Sequence, residues 1–102
     1  MERVLKIENN CDLVICLSHL GYDYENEDRP SDIGLASKTD FTDLIIGGHT
    51  HTFLDRPTIV KNRKDNDILV NQVGCYGINL GRVDFYFDSA MNASAGGVSI
   101  SV

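Results

Sequence analysis

Several residue types are scarce in this chain, and their scarcity narrows the classes of protein to which it can belong. Tryptophan is absent, proline occurs twice, and nine basic residues face fifteen acidic ones, giving a net charge of −6. This negative balance argues against nucleic acid and against an anionic membrane surface as partners. No apolar run approaches the roughly 20 residues that a membrane-spanning helix needs. No signal peptide is visible at the start, where Met1 is followed by Glu2 and Arg3.

Cysteine is scarce as well, with three residues in the chain. An odd number does not suit a framework of disulfide bonds. On one strand, Cys11 and Cys16 would lie about 16 Å apart on opposite faces, which is too far for a disulfide. We therefore predict that Cys11, Cys16 and Cys75 are free and behave as small buried side chains.

The 102 residues are enough for one small domain, which we place at residues 1–102. The front half mixes apolar runs with helical patterns, which indicates an α/β arrangement with buried parallel strands. Its predicted elements are the tail of a helix at residues 1–9, a strand at 12–17, a helix capped by Ser31 and running to 38, and a strand at 44–46. The back half is predicted to be an antiparallel β-meander. Its strands are expected at residues 58–60, 67–73, 80–88 and 98–102, with a small-residue linker or turn at 89–97.

All three histidines of the chain follow apolar strands. Gly47-Gly48-His49-Thr50-His51 comes after the strand at 44–46, and Ser18-His19 comes after the strand at 12–17. The paired glycines allow a sharp turn and a close approach to the backbone. In an extended segment His49 and His51 would point the same way, and adjacent parallel strands would place His19 beside them. The pattern therefore predicts a site for a divalent transition metal.

Three segments of the chain resemble the calcineurin-like dinuclear metallophosphoesterases. The resemblance is closer to their 5′-nucleotidase branch, which includes UDP-sugar hydrolases and 2′,3′-cyclic-nucleotide phosphodiesterases. The matching segments are Val14–Gly21, Asp43–Thr52 and Val70–Arg82, in the family's order. The resemblance implies an α/β fold that is half of a four-layer αββα sandwich, formed by the C-terminal portion of a catalytic domain.

The same resemblance implies a site with two metal ions. Two divalent cations about 3.5–4 Å apart would hold a nucleotide or related phosphate ester and activate a water molecule for attack. Manganese, zinc, iron and cobalt all suit such ligands. By family analogy, His19 and His49 would bind one ion and His51 the other. The residues expected to support the loop are Gly47, Gly48 and Thr50.

Other parts of the family's site have no counterpart in this chain. The family's Asp-x-His, Gly-Asp and Gly-Asn-His motifs carry a bridging aspartate and a catalytic histidine, and none of them occurs here. We therefore assign no catalytic residue and expect negligible hydrolysis of phosphate esters by the chain alone. Half a sandwich would also leave apolar sheet surface uncovered, so we expect a homo-oligomer formed through that surface. The family's members are commonly exported, which implies a periplasmic or extracellular location.

Two other functions are compatible with the same residues. The chain could be a non-catalytic, self-associating module whose histidines have no role. It could also be a small mononuclear metal protein in which His19, His49 and His51 surround one ion together with a water molecule. Metal content would distinguish these two.

Overall fold

The computed structural model describes all 102 residues, which form a helix on a four-stranded sheet and a separate two-stranded β-hairpin. The elements are a π-helical turn at Val4–Glu8, β1 at Ile15–Leu17, α1 at Asp32–Lys38, β2 at Leu44–Ile46, β3 at Thr58–Lys61, β4 at Asp67–Asn71, β5 at Asn79–Phe87 and β6 at Ala93–Ser101. The sheet has the order β1–β2–β4–β3, in which β1, β2 and β4 are parallel and β3 is antiparallel to β4. The predicted α/β fold is confirmed. No helix is long and apolar enough to cross a bilayer.

The three parallel strands end at the same level of the sheet. Leu17 lies opposite Ile46, and Ile46 lies opposite Asn71. The residues that follow, at positions 18, 47 and 72, therefore leave the sheet side by side. Ligands of α/β proteins usually bind at this carboxyl edge.

Helix α1 covers one face of the sheet. Ser31 is its N-cap, and the Ser31 Oγ accepts a hydrogen bond from the Gly34 N–H at 3.0 Å. This bond satisfies one of the amides that the first helical turn leaves free. Between the helix and the sheet lies a cluster of four buried side chains, Ala36 on the helix and Ile45, Ile68 and Val70 on the sheet.

The three cysteines are free, as predicted from their number and spacing. All of them are only partly buried. Cys16 packs against the core beneath α1. Its burial, and then the negative charges of Asp32 and Glu2, raise the pKa of the Cys16 thiol. A raised pKa lowers the thiolate fraction and with it the reactivity of the Cys16 thiol.

The face of the sheet away from α1 is partly bare. Side chains alternate between the two faces of a strand, and the exposed ones on this face are Ile15 at 49%, Leu17 at 80%, Ile46 at 43% and Ile59 at 63%. The prediction that the first strand is buried is therefore wrong, because α1 covers the sheet on one side only. The chain exposes 6780 Å², about 1,000 Å² more than the roughly 5,700 Å² expected for a folded monomer of this mass. One partner of a standard protein interface buries about 800 Å².

Several predicted boundaries are also wrong. The first strand begins at Ile15, and the strand predicted at 67–73 ends at Asn71. The tail of a helix predicted at 1–9 is present, as helical residues 2–8 that are mostly π-helix and include no buried residue. The segment predicted as a turn at 89–97 belongs in part to β6, because residues 93–97 pair with 83–87 of β5 despite their weak strand propensity. The antiparallel pairs of the back half form as predicted, but they are divided between two sheets.

Candidate functional site

Two of the three histidines lie together at the carboxyl edge of the sheet. His19 follows β1 and His49 follows β2, and the centroids of their rings are 5.1 Å apart with 68° between the ring planes. Both side chains are exposed. The parallel register brings them together because β1 and β2 end at the same level. The predicted proximity of His19 and His49 is thus present in the structure.

His49 occupies an unusual backbone turn. Its φ is 76°, and the Thr50 N–H donates a hydrogen bond to the Gly48 carbonyl at 3.0 Å. A hydrogen bond from residue i+2 to residue i around a positive φ defines a γ-turn of the rare, strained kind. His51 also has a positive φ, of 52°. The prediction of an extended Gly-His-Thr-His segment is therefore wrong.

The ring of His51 has a different aromatic neighbour from the rings of His19 and His49. Its ring is next to Tyr76, with 6.2 Å between centroids and 59° between planes. No group of three or more histidine, cysteine, aspartate or glutamate side chains is arranged to share a metal ion. The structure therefore gives no support to a mononuclear site built from all three histidines.

The loop that carries His49 and His51 is held by the side chain of Gln72, which follows β4 and is buried. Gln72 Nε2 donates to the Gly48 carbonyl at 2.9 Å, and Gln72 Oε1 accepts from the Thr52 N–H at 3.0 Å. Thr50 Oγ1 accepts from the Tyr22 N–H at 3.0 Å. One amide side chain thus satisfies backbone groups on both sides of the two histidines. Gly48 and Thr50 take part in these contacts, and their role in supporting a functional site stays a prediction.

Asp32, the first residue of α1, is the other anchor of this edge and is fully buried. Its Oδ1 accepts from the Ser18 hydroxyl at 2.5 Å, and its Oδ2 accepts from Gln72 Nε2 at 3.2 Å. A Cβ added to Gly47 would clash with Asp32 Oδ2. Glycine is therefore required at position 47 by close approach. The sequence pattern missed both Asp32 and Gln72, since a helix-capping context and a strand end carry no signal for such a network.

The imidazoles of His19 and His49 are suitable ligands for a transition metal, but two ligands are too few to complete a site. Neutral imidazole nitrogens are common ligands of Zn²⁺, Mn²⁺, Fe²⁺ and Co²⁺. A zinc site takes about four ligands, at least three of them from protein in catalytic sites. His19 and His49 supply two, and no carboxylate or thiol joins them in a larger set. The chain's own residues therefore do not complete a metal site.

Comparison with known proteins shows where similar sequences occur. The chain is 38% identical over 86 residues to the trifunctional nucleotide phosphoesterase protein YfkN of Bacillus subtilis, an alignment that covers 84% of the chain. It is 30% identical over 98 residues to an apyrase of Aedes aegypti, covering 79% of the chain. A crystal structure of a 5′-nucleotidase precursor from Thermus thermophilus superposes with a TM-score of 0.76 and 28% identity over 94% of the chain. The chain belongs to the 5′-nucleotidase family. No protein-family profile matches it.

The family's longer members extend far beyond the region that this chain shares with them. The chain spans 5% of YfkN, 16% of the Aedes apyrase and 20% of the Thermus protein. The shared region has the same fold, with a mixed sheet and a separate hairpin.

Proposed function

We propose that this chain supplies part of the active site of a metal-dependent phosphoesterase that acts on nucleotides. In this proposal His19 and His49 bind one divalent ion and His51 binds a second. The observation that carries it is the 5.1 Å separation of the His19 and His49 rings, which come from two different strand ends. The names of the relatives, a nucleotide phosphoesterase, an apyrase and a 5′-nucleotidase, support nucleotides as the substrate class.

The chain's own part in this function is to bind and to orient. Imidazole binds a metal through a neutral ring nitrogen, and in this way His19 and His49 would bind the ion. The γ-turn at His49 and the Gln72 contacts fix the backbone from which the ring projects. When bound, the two ions would polarise the phosphate ester and lower the pKa of a bound water. We propose that the remaining ligands come from outside these 102 residues, and that the protein works in the periplasm or outside the cell.

The test is site-resolved metal binding by NMR. Paramagnetic Mn²⁺ added in small amounts to the isotopically labelled chain should broaden the ring signals of His19 and His49 together. His49→Ala should abolish this broadening at His19, whereas the matched variant His51→Ala should leave it unchanged. Broadening confined to the acidic segment 23–28, with unaffected histidines, would contradict the proposal.

Activity measurements complete the test. Because two imidazoles do not complete a metal site, the chain alone should hydrolyse AMP negligibly with Mn²⁺, Zn²⁺ or Co²⁺ present. Measurable turnover that disappears in His49→Ala would show that the 102 residues contain a complete site. That result would refute the proposal that further ligands come from outside these residues, but it would support nucleotides as the substrate class.

A further inference from the structure

The buried carboxylate of Asp32 has no cationic partner. None of the ion pairs in the structure includes it, and its two oxygens are satisfied by neutral donors, the Ser18 hydroxyl and the Gln72 amide. Burying a carboxylate is costly unless its hydrogen-bonding capacity is used. We therefore looked for a functional reason for the buried carboxylate of Asp32.

The contacts of Asp32 reach the loops of all three histidines. Ser18, which bonds to Oδ1, directly precedes His19. Gln72, which bonds to Oδ2, also bonds to the residue that precedes His49 and to the residue that follows His51. Asp32 itself is anchored through its N–H, which donates to the Gly21 carbonyl at 2.8 Å.

The two glycines of the loop show how closely the carboxylate and the histidine pair are packed. A Cβ on Gly47 would meet Asp32 Oδ2, and a Cβ on the adjacent Gly48 would meet His19 Nδ1 at 3.1 Å. Asp32 and His19 thus lie against consecutive residues of the same turn. Displacement of the carboxylate would shift the turn that carries His49 relative to His19.

We propose that Asp32 is a positioning residue, which sets the spacing of the His19 and His49 imidazoles through Ser18 and Gln72. This inference rests on the proposed function for its purpose, which is to hold two ligands ready for one ion. The role of Asp32 in fixing the distance between the two rings can be tested without any metal ion. Contacts that orient ligands in this way typically change metal affinity about 10–100-fold when removed.

The experiment compares Asp32→Asn and Ser18→Ala with Ser37→Ala. Ser37 is a matched control because its hydroxyl donates to the Gly34 carbonyl at 2.7 Å within α1, away from the histidine loops. The readouts are the nuclear Overhauser effect between the His19 and His49 rings, the Co²⁺ affinity and the free energy of unfolding. Asp32→Asn and Ser18→Ala should lose the inter-ring effect and bind Co²⁺ about 10–100-fold more weakly. Ser37→Ala should keep both, even at an equal loss of stability.

The outcomes separate this inference from the proposed function. Asp32→Asn places an N–H₂ where Ser18 or Gln72 now donates; if that variant does not fold, the milder Ser18→Ala decides. Retention of the inter-ring effect and of wild-type Co²⁺ affinity in Ser18→Ala and in any folded Asp32→Asn would overturn the inference. If the unaltered chain binds no Co²⁺, the proposed function fails, and the inter-ring effect alone decides whether Asp32 positions the rings.

Discussion

The γ-turn at His49 predicts that the stability of a variant without this histidine depends on which residue replaces it. With φ at 76°, position 49 lies where a side chain is strained and glycine is not. His49→Ala and His49→Gly both remove the imidazole, but only the glycine variant removes the strained Cβ. We expect His49→Gly to be the more stable of the two.

The size of the difference follows from two opposing terms. A left-handed backbone costs a residue with a Cβ roughly 1–2 kcal/mol. The glycine variant loses about 0.4–1 kcal/mol of this advantage, because glycine gives the unfolded chain more conformational freedom than alanine does. The net advantage of glycine over alanine at position 49 is therefore about 1 kcal/mol. For a domain of this size that corresponds to a shift in Tm of about 4–8 °C.

His19 offers the matched control for this prediction. It is not among the residues with positive φ, so there His19→Gly should be less stable than His19→Ala by about 0.4–1 kcal/mol. Urea unfolding followed by circular dichroism measures all four variants. The same order at both positions, with alanine more stable than glycine at position 49, would refute the strain at His49.

Two further predictions concern the N-terminal segment and the bare face of the sheet. Burial opposes ionisation of Glu2, but hydrogen bonds from Thr42, Asp40 and Phe41 outweigh it and lower the pKa of its carboxyl. Glu2→Gln should therefore lower the free energy of unfolding by about 1–2 kcal/mol at pH 7. Urea unfolding should show this loss shrinking below about pH 4.5, as the pH falls through the lowered pKa of Glu2 in the folded chain. An unchanged loss at pH 3 would contradict the lowered pKa of Glu2. We also propose that a second copy of the chain covers the exposed apolar face, so sedimentation should show a dimer that Leu17→Lys converts to monomer and the remote control Val102→Lys does not. A monomeric wild-type chain at tens of micromolar would argue against this.

The sequence predicted the positions of His19 and His49 well, because their proximity depends on local and regular features. Apolar runs at residues 13–17 and 44–46, each with a histidine within the next three residues, identified the strand ends. Parallel pairing of neighbouring strands aligned those ends. Neither step needs side-chain detail. The fold class was predictable for the same reason.

The backbone conformation of the histidine loop and its anchors could not be predicted in this way. The γ-turn depends on Gln72 holding the Gly48 carbonyl, a contact between residues 24 positions apart in the chain. Asp32 follows the helix cap Ser31, and its sequence context indicated only a helix start. Strand β6 likewise exists because β5 supplies a pairing partner, which overrides the weak strand propensity of alanine, serine and glycine.

Substitutions on the two faces of the sheet should change different properties of the chain. Asp32 belongs to α1, so the network that spaces His19 and His49 lies on the side where the helix packs. The exposed side chains of Leu17 and Ile59 lie on the other side, where no helix packs. A polar substitution on the bare face should change association without altering the distance between the two rings. A substitution at Ser18 should change that distance without altering association, so the two measurements together test whether the site is positioned from the covered face alone.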